Sequence, residues 1–440
     1  MKRLLIITYY WPPAGGSGVQ RWLKFVKYLA KNNFHCIVYT PENPEMPVID
    51  NSLLKDLPDE NLQVLKTKIF EPYTAYKVLT GKSKKEKITV SFLKEHSSKT
   101  SFAEKLSKWI RGNCFIPDAK MFWIKPSVRF LSNYLKHHQV DLIISTGPPH
   151  SMHLIALHLK NKFPNIPWIA DFRDPWTNID FLNDLYLTHC AKKKHQYLEK
   201  KVVQTADAVI SISPTLTKEL QLLDNCHSEK FYTLTNGFDV DDYKYLQQNM
   251  NDNSESFILT YAGLIPPNRN PKVLWQALYL LAKENKLPTH FKVQLIGKVD
   301  ASVKESIQPL NIEQYIEFID YLPHSDVLIK EDQANALLLI INEAPNSKGI
   351  LTGKIFEYLA LQKPILAIAP KDGDAAKIIY QTKAGIVVEH HQVNEMKNAL
   401  LQLIEGKISP PSKSNVLQYS RENLTKQLIE IINKLLYKKF

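Results

Sequence analysis

Residues 3–31, RLLIITYYWPPAGGSGVQRWLKFVKYLAK, run from a short apolar segment through a glycine-containing loop into a helical pattern. The apolar segment Leu4–Ile7 is too short for the core of a signal peptide and is typical of a buried strand. From Val19 onward, apolar residues recur at the spacing of an amphipathic helix. A strand, a loop and a helix in this order begin a βαβ unit, so the opening predicts an α/β protein with a parallel sheet.

The same alternation continues along most of the chain. We predict strands at Arg3–Thr8, Cys36–Tyr39, Leu142–Ser145, Trp168–Asp171, Ala208–Ile212, Phe231–Leu234, Ile258–Ala262, Lys292–Ile296, Ala336–Ile341, Ile365–Ile368 and Gly385–Val388. Helical patterns lie between most of them, which predicts two doubly wound, Rossmann-like domains. We place the first domain at 1–240, with an insertion at about 41–126, and the second at 241–415. A helix follows at 416–440, and its apolar residues Leu424, Leu428, Ile431 and Leu435 need a surface to cover.

The composition excludes several classes of protein. A chain of 440 residues with 44% hydrophobic and 23% charged residues is long enough for two or three domains and is not disordered. Lys and Arg outnumber Asp and Glu by 56 to 44, a net charge of +12, which favours an anionic partner. That partner is a nucleic acid, an anionic membrane or a phosphate-bearing substrate, and charge alone does not choose among them.

The cysteines indicate a reducing compartment. Cys36, Cys114, Cys190 and Cys226 lie far apart and form no paired motif, so neither a zinc site nor a disulfide framework is expected. No stretch of the sequence approaches the roughly 20 apolar residues of a membrane-spanning helix. We therefore expect a cytoplasmic protein that is soluble or attached to a membrane surface.

Two loops of the first half could bind a ligand. Gly16 and Gly18 precede the first helix, where free backbone N–H groups attract a phosphate or a sugar, although a simple tight turn has the same pattern. The spacing lacks the third glycine of the dinucleotide fingerprint, so a nicotinamide oxidoreductase is disfavoured. His150 and His153 follow another predicted strand and are candidates for a general base or a sugar contact, or for helix capping.

The predicted strand end at Asp171 is unusually rich in charge. Asp171, Arg173 and Asp174 follow one another closely, and buried charges are costly unless they are paired or bind something. Asp171 and Asp174 are therefore candidates for catalysis and Arg173 is a candidate for contact with the acceptor, and a mutual Asp–Arg ion pair is the alternative.

The second half contains a comparable pattern. Gly263 follows a predicted strand, and Arg269 lies in the loop before the next helix, where a guanidinium suits a diphosphate. Further on, Thr352 and Gly353 begin a helix that carries Lys354 and, one turn later, Glu357. An ammonium that meets phosphate and a carboxylate that accepts ribose hydroxyls would together bind a nucleotide. A solvated arginine and an i,i+3 Lys–Glu surface pair are the alternatives.

Taken in order, these motifs resemble the GT-B glycosyltransferases, specifically the large retaining family called family 4 or group 1. The resemblance covers nearly the whole chain and is carried by Tyr9-Tyr-Trp-Pro-Pro-Ala-Gly-Gly-Ser-Gly18, Asp171-Phe-Arg-Asp-Pro-Trp176, Ser213-Pro-Thr-Leu216, Asn236-Gly-Phe-Asp239 and Gly353-Lys-Ile-Phe-Glu-Tyr-Leu-Ala360. It implies two Rossmann-like domains that face each other across a cleft. The first holds mainly the acceptor, the second holds mainly the sugar nucleotide, and the C-terminal helix packs back on the first. It also implies that no metal or other cofactor takes part.

The resemblance assigns roles to individual residues. Arg269 and Lys354 resemble the basic pair that stabilises the departing diphosphate, and Glu357 resembles the second glutamate of the family's Glu-x7-Glu motif, which holds the ribose. Where the first glutamate would fall, this sequence has Gly349. Gly16 and Gly18 resemble the loop that approaches the donor phosphates or the acceptor. At Asp171–Asp174, many relatives carry an active-site histidine.

The resulting prediction is a retaining, metal-independent glycosyltransferase. It would move a sugar from a nucleotide-sugar donor to a saccharide or lipid-linked acceptor, in the synthesis of cell-surface polysaccharide or lipopolysaccharide. Two alternatives stay open: a GT-B nucleotide-sugar epimerase, and a protein that binds nucleic acid through its basic surface, although no nucleic-acid-binding motif is present.

A membrane contact is a further hypothesis from the sequence. Lysines at 82–87 and 192–194, with Tyr73, Tyr76, Phe92 and Trp109, suggest that the insertion rests on an anionic membrane at the inner face of the cell. Solvated lysines are the alternative.

Overall fold

The structure, a computed structural model, describes residues 1–46, 48–71, 102–224, 226–246 and 256–437. It divides into two compact units, of which the first comprises Met1–Thr235 with Arg421–Phe440 and the second comprises Asn236–Ser420. The sequence analysis places the end of the first domain at residue 240, a few residues later than the structure does. It places the end of the second domain at residue 415, a few residues earlier. The difference has a packing reason, because Phe238 donates its backbone N–H to the Tyr419 carbonyl at 3.2 Å and is buried among residues of the second unit.

The first unit is built on a seven-stranded parallel sheet with the order β3-β2-β1-β4-β5-β6-β7. Its strands are β1 Lys2–Ile7, β2 Phe34–Pro41, β3 Leu62–Thr67, β4 Leu142–Gly147, β5 Trp168–Phe172, β6 Ala208–Ser211 and β7 Phe231–Thr233. Its helices are α1 Ser17–Lys31, α2 Phe102–Cys114, α3 Ile124–His137, α4 Ser151–Lys162, α5 His189–Thr205 and α6 Pro214–Gln221, and it also takes the last helix of the chain.

The second unit is built on a six-stranded parallel sheet with the order β10-β9-β8-β11-β12-β13. Its strands are β8 Ser256–Ala262, β9 His290–Ile296, β10 Ile316–Ile319, β11 Ala336–Ile340, β12 Ile365–Ile368 and β13 Gly385–Val388. Its helices are α7 Lys272–Lys283, α8 Ala301–Ile307, α9 His324–Gln333, α10 Gly353–Leu361, α11 Asp374–Thr382, α12 Val393–Ile404 and α13 Lys413–Val416.

The apolar runs form central strands because both faces of each sheet are covered. In β1, Leu5 and Ile7 belong to one hydrophobic cluster, whereas Leu4 and Ile6 belong to the cluster on the opposite face. The same division occurs in β11 of the second unit, where alternate leucines enter different clusters. Side chains alternate between the two faces of a strand, so a strand buried on both faces requires a continuous apolar run. The predicted fold class, two Rossmann-like units with parallel sheets, is confirmed.

Two strands escaped the sequence analysis, β3 and β10. Both lie at an edge of their sheet, and their residues are mostly exposed or half-buried. An edge strand does not need a continuous apolar run, so its sequence lacks the signal that identified the central strands. The predicted insertion at 41–126 is wrong for Leu62–Thr67, which pairs with β2 as part of the first sheet.

The last helix, α14 (Arg421–Tyr437), packs on α1 of the first unit. Leu424, Leu428 and Ile432 are buried in the same hydrophobic cluster as Trp22 and Leu29 of α1. The apolar face of the C-terminal segment is thus covered by the domain that begins the chain. None of the helices among the described residues is long and apolar enough to cross a membrane.

Leu428 tests how much this packing stabilises the first unit. Its side chain is 0% exposed, so Leu428→Ala should lower the free energy of unfolding by roughly 2–5 kcal/mol, through lost burial and the cavity left behind. Urea denaturation measures the change. Glu430→Ala, on an exposed position of the same helix, is the control and should change stability little. Equal effects of the two substitutions would contradict this account of the helix.

Candidate active site

The first candidate site lies at the carboxyl edge of the second sheet. After β8 the chain adds β9 and β10 on one side, and after β10 it returns to add β11 on the other side of β8. The loops that leave the neighbouring strands β8 and β11 therefore run away from each other. In doubly wound sheets, such a switch point is where ligands bind. Gly263 follows β8, and Lys354 and Glu357 lie on α10, the helix that follows β11.

Gly263 and Lys354 approach each other closely at this edge. Gly263 has a φ of +133°, which residues with a side chain rarely adopt. A Cβ at this position would lie 2.7 Å from the Lys354 Nζ. The same ammonium lies 5.7 Å from the centre of the Tyr261 ring. Glycine at 263 thus leaves the space that the Lys354 side chain occupies.

The N-terminus of α10 is open to a ligand. Its N-cap residue, Thr352, makes no side-chain capping hydrogen bond, and within the described chain its buried Oγ1 has no hydrogen-bond partner. Gly353 follows, and a Cβ on it would meet nothing within 4 Å. The first backbone N–H groups of a helix have no partner inside the helix and carry a partial positive charge. This end of α10 can therefore receive an anion.

Three charged side chains around this edge form no ion pair with any residue that the structure describes. Lys354, Glu357 and Arg269 are half-buried, and among the residues that the structure describes none of the three side chains forms a hydrogen bond or an ion pair. Arg269 lies in the loop between β8 and α7, in a short 3-10 turn that follows Gly263. Two cations and a carboxylate without partners at a switch point are an arrangement suited to a charged ligand.

A buried carboxyl, Glu331, lies behind this edge on α9. It is 1% exposed, and its Oε2 has no hydrogen-bond partner among the described residues. The pKa of Glu331 is raised to about 8, chiefly by burial and further by the Glu357 charge, while Lys354 opposes the shift. Burial likewise raises the pKa of Tyr243, with the Glu357 charge as the next contribution. Glu331 is therefore protonated at neutral pH, and in this neutral form it does not offset the positive charge of Lys354.

The second candidate site lies at the carboxyl edge of the first sheet, where β1 and β4 are neighbours at its switch point. Gly16 has a φ of +94°, and a Cβ on it would meet nothing within 4 Å. A Cβ on Gly18 would lie 3.1 Å from the Arg173 Nη1, which donates to the Gly18 carbonyl at 3.0 Å. The other guanidinium nitrogen donates to the Pro148 carbonyl. Arg173 thus joins the loops that follow β1 and β4.

Asp171 is part of the internal framework of this edge. Its carboxylate pairs with Arg21 at 2.8 Å and accepts hydrogen bonds from Trp22 Nε1 at 2.7 Å and from Thr146 Oγ1 at 2.8 Å. Burial alone would raise the pKa of Asp171, but the Arg21 charge and these hydrogen bonds hold it below its ordinary value. The sequence analysis gave an Asp–Arg ion pair as the alternative to catalysis. The structure contains such a pair, but the partner of Asp171 is Arg21 and not Arg173. The saturated, 0% exposed carboxylate favours a supporting role over the predicted catalytic one.

His150 and His153 lie side by side in what we call the histidine cluster, formed with Trp176 and His195. His150 stacks on Trp176 with ring centres 4.5 Å apart, and Trp176 Nε1 donates to His195 Nδ1 at 3.1 Å. His150 Nδ1 and His153 Nε2 are buried and have no hydrogen-bond partner in the described part of the chain. A Cβ on Gly147 would lie 3.0 Å from the first nitrogen and 2.7 Å from the second.

Burial keeps His150 and His153 neutral. It lowers the pKa of His153 to about 3, with Asp171 opposing the shift and Arg173 adding to it. It also lowers the pKa of His150 well below its ordinary value, and the charges of His153, Arg173 and His195 add to the shift. A neutral imidazole can accept a hydrogen bond, but a pKa this far below neutrality makes each ring a weak base.

Asp174 has a different environment. Burial raises the pKa of Asp174 to about 6, and the Arg173 charge opposes the shift. A carboxyl with a pKa near neutrality can take up or release a proton under physiological conditions.

The candidate residues therefore fall into two groups, one in each unit. The structure brings Gly263 together with Lys354, Gly18 with Arg173, and His150 with His153. The sequence analysis assigned six residues to donor binding. Gly16 and Gly18 lie in the first unit. The other four lie in the second unit: Gly263, Thr352, Gly353 and Glu357.

The family of the second unit follows from its sequence. Residues 256–406 match the family model described as glycosyl transferases group 1. They form a group 1 glycosyltransferase domain. The matched segment runs from β8 through α12 and contains Gly263, Arg269, Lys354 and Glu357.

Solved structures of GT-B glycosyltransferases resemble the chain over nearly its whole length. A sucrose-phosphate synthase from Thermosynechococcus elongatus has a TM-score of 0.60 at 14% identity, covering 99% of this chain and 100% of that one. Anabaena HepE in complex with UDP has the same TM-score and identity, with the same coverage. A UDP-forming trehalose-phosphate synthase from Burkholderia xenovorans has a TM-score of 0.61 at 10% identity and covers 99% of both chains. These likenesses show the fold, and the predicted resemblance to group 1 glycosyltransferases of GT-B type is confirmed.

A curated relative points to the same class of reaction. A poly(ribitol-phosphate) alpha-N-acetylglucosaminyltransferase from Staphylococcus aureus (strain COL) is 19% identical over 243 residues. The match covers 53% of this chain and 46% of the relative, so about half of this chain is similar to about half of that protein. Together with the family match, it supports glycosyltransferase activity.

Four residues of these sites were missed by the sequence analysis: Arg21 as the partner of Asp171, Trp176, His195 and Glu331. Arg21, His195 and Glu331 lie far along the chain from their partners, and no motif of the sequence analysis marks them as a partner. Trp176 ends the motif Asp171–Trp176, but that motif does not indicate its stacking on His150. The sequence analysis predicts no helix at His324–Gln333, so it contains no signal that would single out Glu331.

Segments proposed for membrane contact are only partly within the described residues. Lys82–Lys87, Tyr73, Tyr76 and Phe92 lie outside them. Trp109 is 39% exposed on α2, and Lys192, Lys193 and Lys194 are exposed on α5.

Asp171→Asn tests the supporting role of this carboxylate. The substitution leaves the buried Arg21 guanidinium without its opposite charge, so the free energy of unfolding should fall by roughly 3–5 kcal/mol. Urea denaturation measures it, with Asp59→Asn at an exposed position as the control. A variant of normal stability but reduced activity would instead support the predicted catalytic role.

Glu331→Gln tests the protonated carboxyl. The native pKa of about 8 lies above the value of roughly 4.3 in an unfolded chain, so between these pH values only the folded state holds the proton. The free energy of unfolding should therefore fall as pH rises, by up to about 1.4 kcal/mol per unit, and Gln should remove this slope. Urea denaturation from pH 5 to 8.5 measures it.

The matched control is Glu305→Gln, which alters an exposed glutamate in the same unit. It should keep the pH dependence of the unmodified protein. Parallel curves for the unmodified protein and Glu331→Gln would refute the assignment of a proton to Glu331.

Proposed function

We propose that the protein transfers a sugar from a nucleotide-sugar donor to a saccharide or lipid-linked acceptor, with retention of anomeric configuration. The observation that carries the proposal is the edge of the second sheet, where Lys354 and Glu357 lie one turn apart on a helix whose N-terminus is uncapped. The N–H groups and the ammonium suit a diphosphate, and the carboxylate suits the ribose hydroxyls. The donor nucleotide therefore binds to the second unit.

In this proposal, Lys354 and Arg269 stabilise the diphosphate as it leaves. Charge develops on the diphosphate oxygens as the bond to the sugar breaks, and fixed positive groups stabilise that charge most in the transition state. Attack occurs on the face from which the diphosphate departs, so configuration is retained and the diphosphate takes the acceptor proton. No metal or other cofactor takes part, because protein groups supply the positive charge. Since HepE was solved with UDP, a uridine diphosphate sugar is the first donor to test.

The acceptor binds to the first unit. Its edge offers the neutral imidazole of His150 and the Asp174 carboxyl as hydrogen-bond partners for acceptor hydroxyls, while burial against Trp176 orients the His150 ring. His153, whose ring centre lies 5.8 Å from that of His150, and Arg173 belong to the same proposed acceptor side. Gly16, whose surroundings are open, lets a substrate approach the backbone at the start of α1.

The acceptor belongs to cell-surface polymer synthesis. The name of the Staphylococcus aureus relative describes a transferase for poly(ribitol-phosphate), and a polyanionic acceptor would suit a chain with a net charge of +12. Lipopolysaccharide and other surface polysaccharides stay within the same proposal. The enzyme would work in the cytoplasm and at the inner face of the membrane, where exposed lysines such as those at 192–194 can meet anionic lipid.

Substitutions at the proposed diphosphate site test this function. Lys354→Ala and Arg269→Ala should each lower the turnover number by roughly a hundredfold, because each removes positive charge from the leaving group. The measurement is release of the nucleoside diphosphate with and without added acceptor. Lys348→Ala, which removes an exposed lysine paired with Asp372 in the loop before α10, is the control and should keep normal turnover.

Binding and product analysis complete the test. A saturating nucleoside diphosphate at 100 times its Kd should stabilise the protein by about 2.7 kcal/mol, and Glu357→Ala should reduce this shift. Activity that persists in EDTA supports the metal-free mechanism, and activity that EDTA abolishes refutes it. Normal turnover in both Lys354→Ala and Arg269→Ala would overturn the site. A changed sugar nucleotide formed without acceptor would identify an epimerase instead.

A further inference from the structure

Trp176 is the central member of the histidine cluster. It lies just beyond β5, and its side chain is 2% exposed. Its ring is nearly parallel to the His150 imidazole, with an interplanar angle of 3° and ring centres 4.5 Å apart. The other aromatic neighbours of His150, His153 and Phe172, lie farther away, at 5.8 and 6.2 Å. The face of the indole is therefore the surface that most closely defines the plane of His150.

His195 fixes the indole through the indole N–H group. Its Nδ1 accepts the Trp176 Nε1 hydrogen at 3.1 Å, and the imidazole is 3% exposed on α5. A buried indole N–H without an acceptor is costly, so the orientation of Trp176 depends on this nitrogen. Burial lowers the pKa of His195, which keeps Nδ1 free to accept, while Asp118 and the Gly112 backbone oppose that shift.

A separate hydrogen-bonded support holds the backbone beside His150. Asp118 accepts from the backbone N–H of Ser151 at 2.9 Å and from its hydroxyl at 2.7 Å. These bonds fix the first residue of α4, directly after His150. They leave the rotation of the His150 side chain undetermined, because none of them touches the imidazole. The backbone and the ring of His150 are thus held by different contacts.

We propose that His195 is a positioning residue for the acceptor side of the reaction, which holds Trp176 in place and through it holds the His150 imidazole in the orientation that meets the acceptor. His195 itself is buried behind the indole and touches no substrate. The link from His195 to the acceptor rests on the proposed function, whereas the link from His195 to the His150 ring rests on the geometry alone.

Two substitutions separate this role from plain core packing. His195→Gln keeps a side-chain oxygen that can accept the indole N–H, whereas His195→Leu fills the space without an acceptor. Both remove the imidazole, so a role in packing alone predicts similar effects. The positioning role predicts that Gln preserves the orientation of His150 and that Leu does not. Trp176→Phe keeps an aromatic face for stacking and needs no acceptor, so in that background the two His195 substitutions should behave alike.

The first measurement concerns the ring and does not depend on activity. Stacking on an indole moves the His150 C–H resonances upfield, and they can be assigned by their loss in His150→Gln. In the full-length protein, His195→Gln should retain this upfield shift and His195→Leu should reduce it. Equal shifts in the unmodified protein, His195→Gln and His195→Leu would overturn the positioning role. If His195→Leu does not fold, the comparison is made in the Trp176→Phe background. There the added His195→Leu substitution should leave the His150 shift as it is in Trp176→Phe alone, and a further loss of the shift would contradict the proposal.

The second measurement is steady-state transfer with varied acceptor. His195→Leu should lower kcat/KM for the acceptor by roughly tenfold or more, and His195→Gln should recover most of it, while the KM for the donor stays unchanged. A lost ring-current shift with normal acceptor kinetics would refute the role of His150 in transfer but leave its positioning by His195 intact. A normal shift with impaired kinetics in both variants would overturn the positioning by His195.

Discussion

The buried ion pair between Arg21 and Asp171 is the interaction on which the carboxyl edge of the first unit depends. Arg21 on α1 reaches the end of β5, and its guanidinium also donates to the carbonyls of Leu234 and Thr235 at 2.9 and 2.8 Å. Thr146 at the end of β4 donates to the same carboxylate. Charges buried to this degree are tolerated only when every polar atom is satisfied, so the pair also constrains the strands and helix that supply its partners.

The two switch points use charge in opposite ways. In the first unit the central carboxylate is saturated with hydrogen bonds, and neutral imidazoles and a carboxyl of raised pKa lie around it. In the second unit Lys354, Glu357 and Arg269 have no partner among the described residues, and the buried Glu331 holds a proton. An unpaired charge costs free energy in the free protein and is stabilised when a ligand supplies the opposite charge. This contrast supports a nucleotide diphosphate on the second unit and a neutral acceptor hydroxyl on the first.

Much of the fold could be predicted from the sequence, because central strands that are buried on both faces must be continuously apolar. The runs at Leu4–Ile7 and Ala336–Ile340 are of this kind. The edge strand Leu62–Thr67 carries no such run, and for that reason its residues fall within the predicted insertion. The glycines and the Lys354–Glu357 pair were found for a similar reason, since a ligand-binding loop between a strand and a helix needs particular residues at adjacent positions.

The amino-acid sequence is enough to predict two parallel α/β units, the loops that end their central strands and the polar residues that those loops carry. These are local properties, set by backbone geometry and by the spacing of apolar residues over a few turns or strands. Which charges are paired becomes visible in the folded structure. Arg21 and Asp171 are 150 residues apart and lie 2.8 Å from each other, whereas Arg173, two positions from Asp171, bonds to backbone carbonyls. Pairing and pKa depend on distance and burial in space, and one chain contains many acids and bases that could satisfy each other.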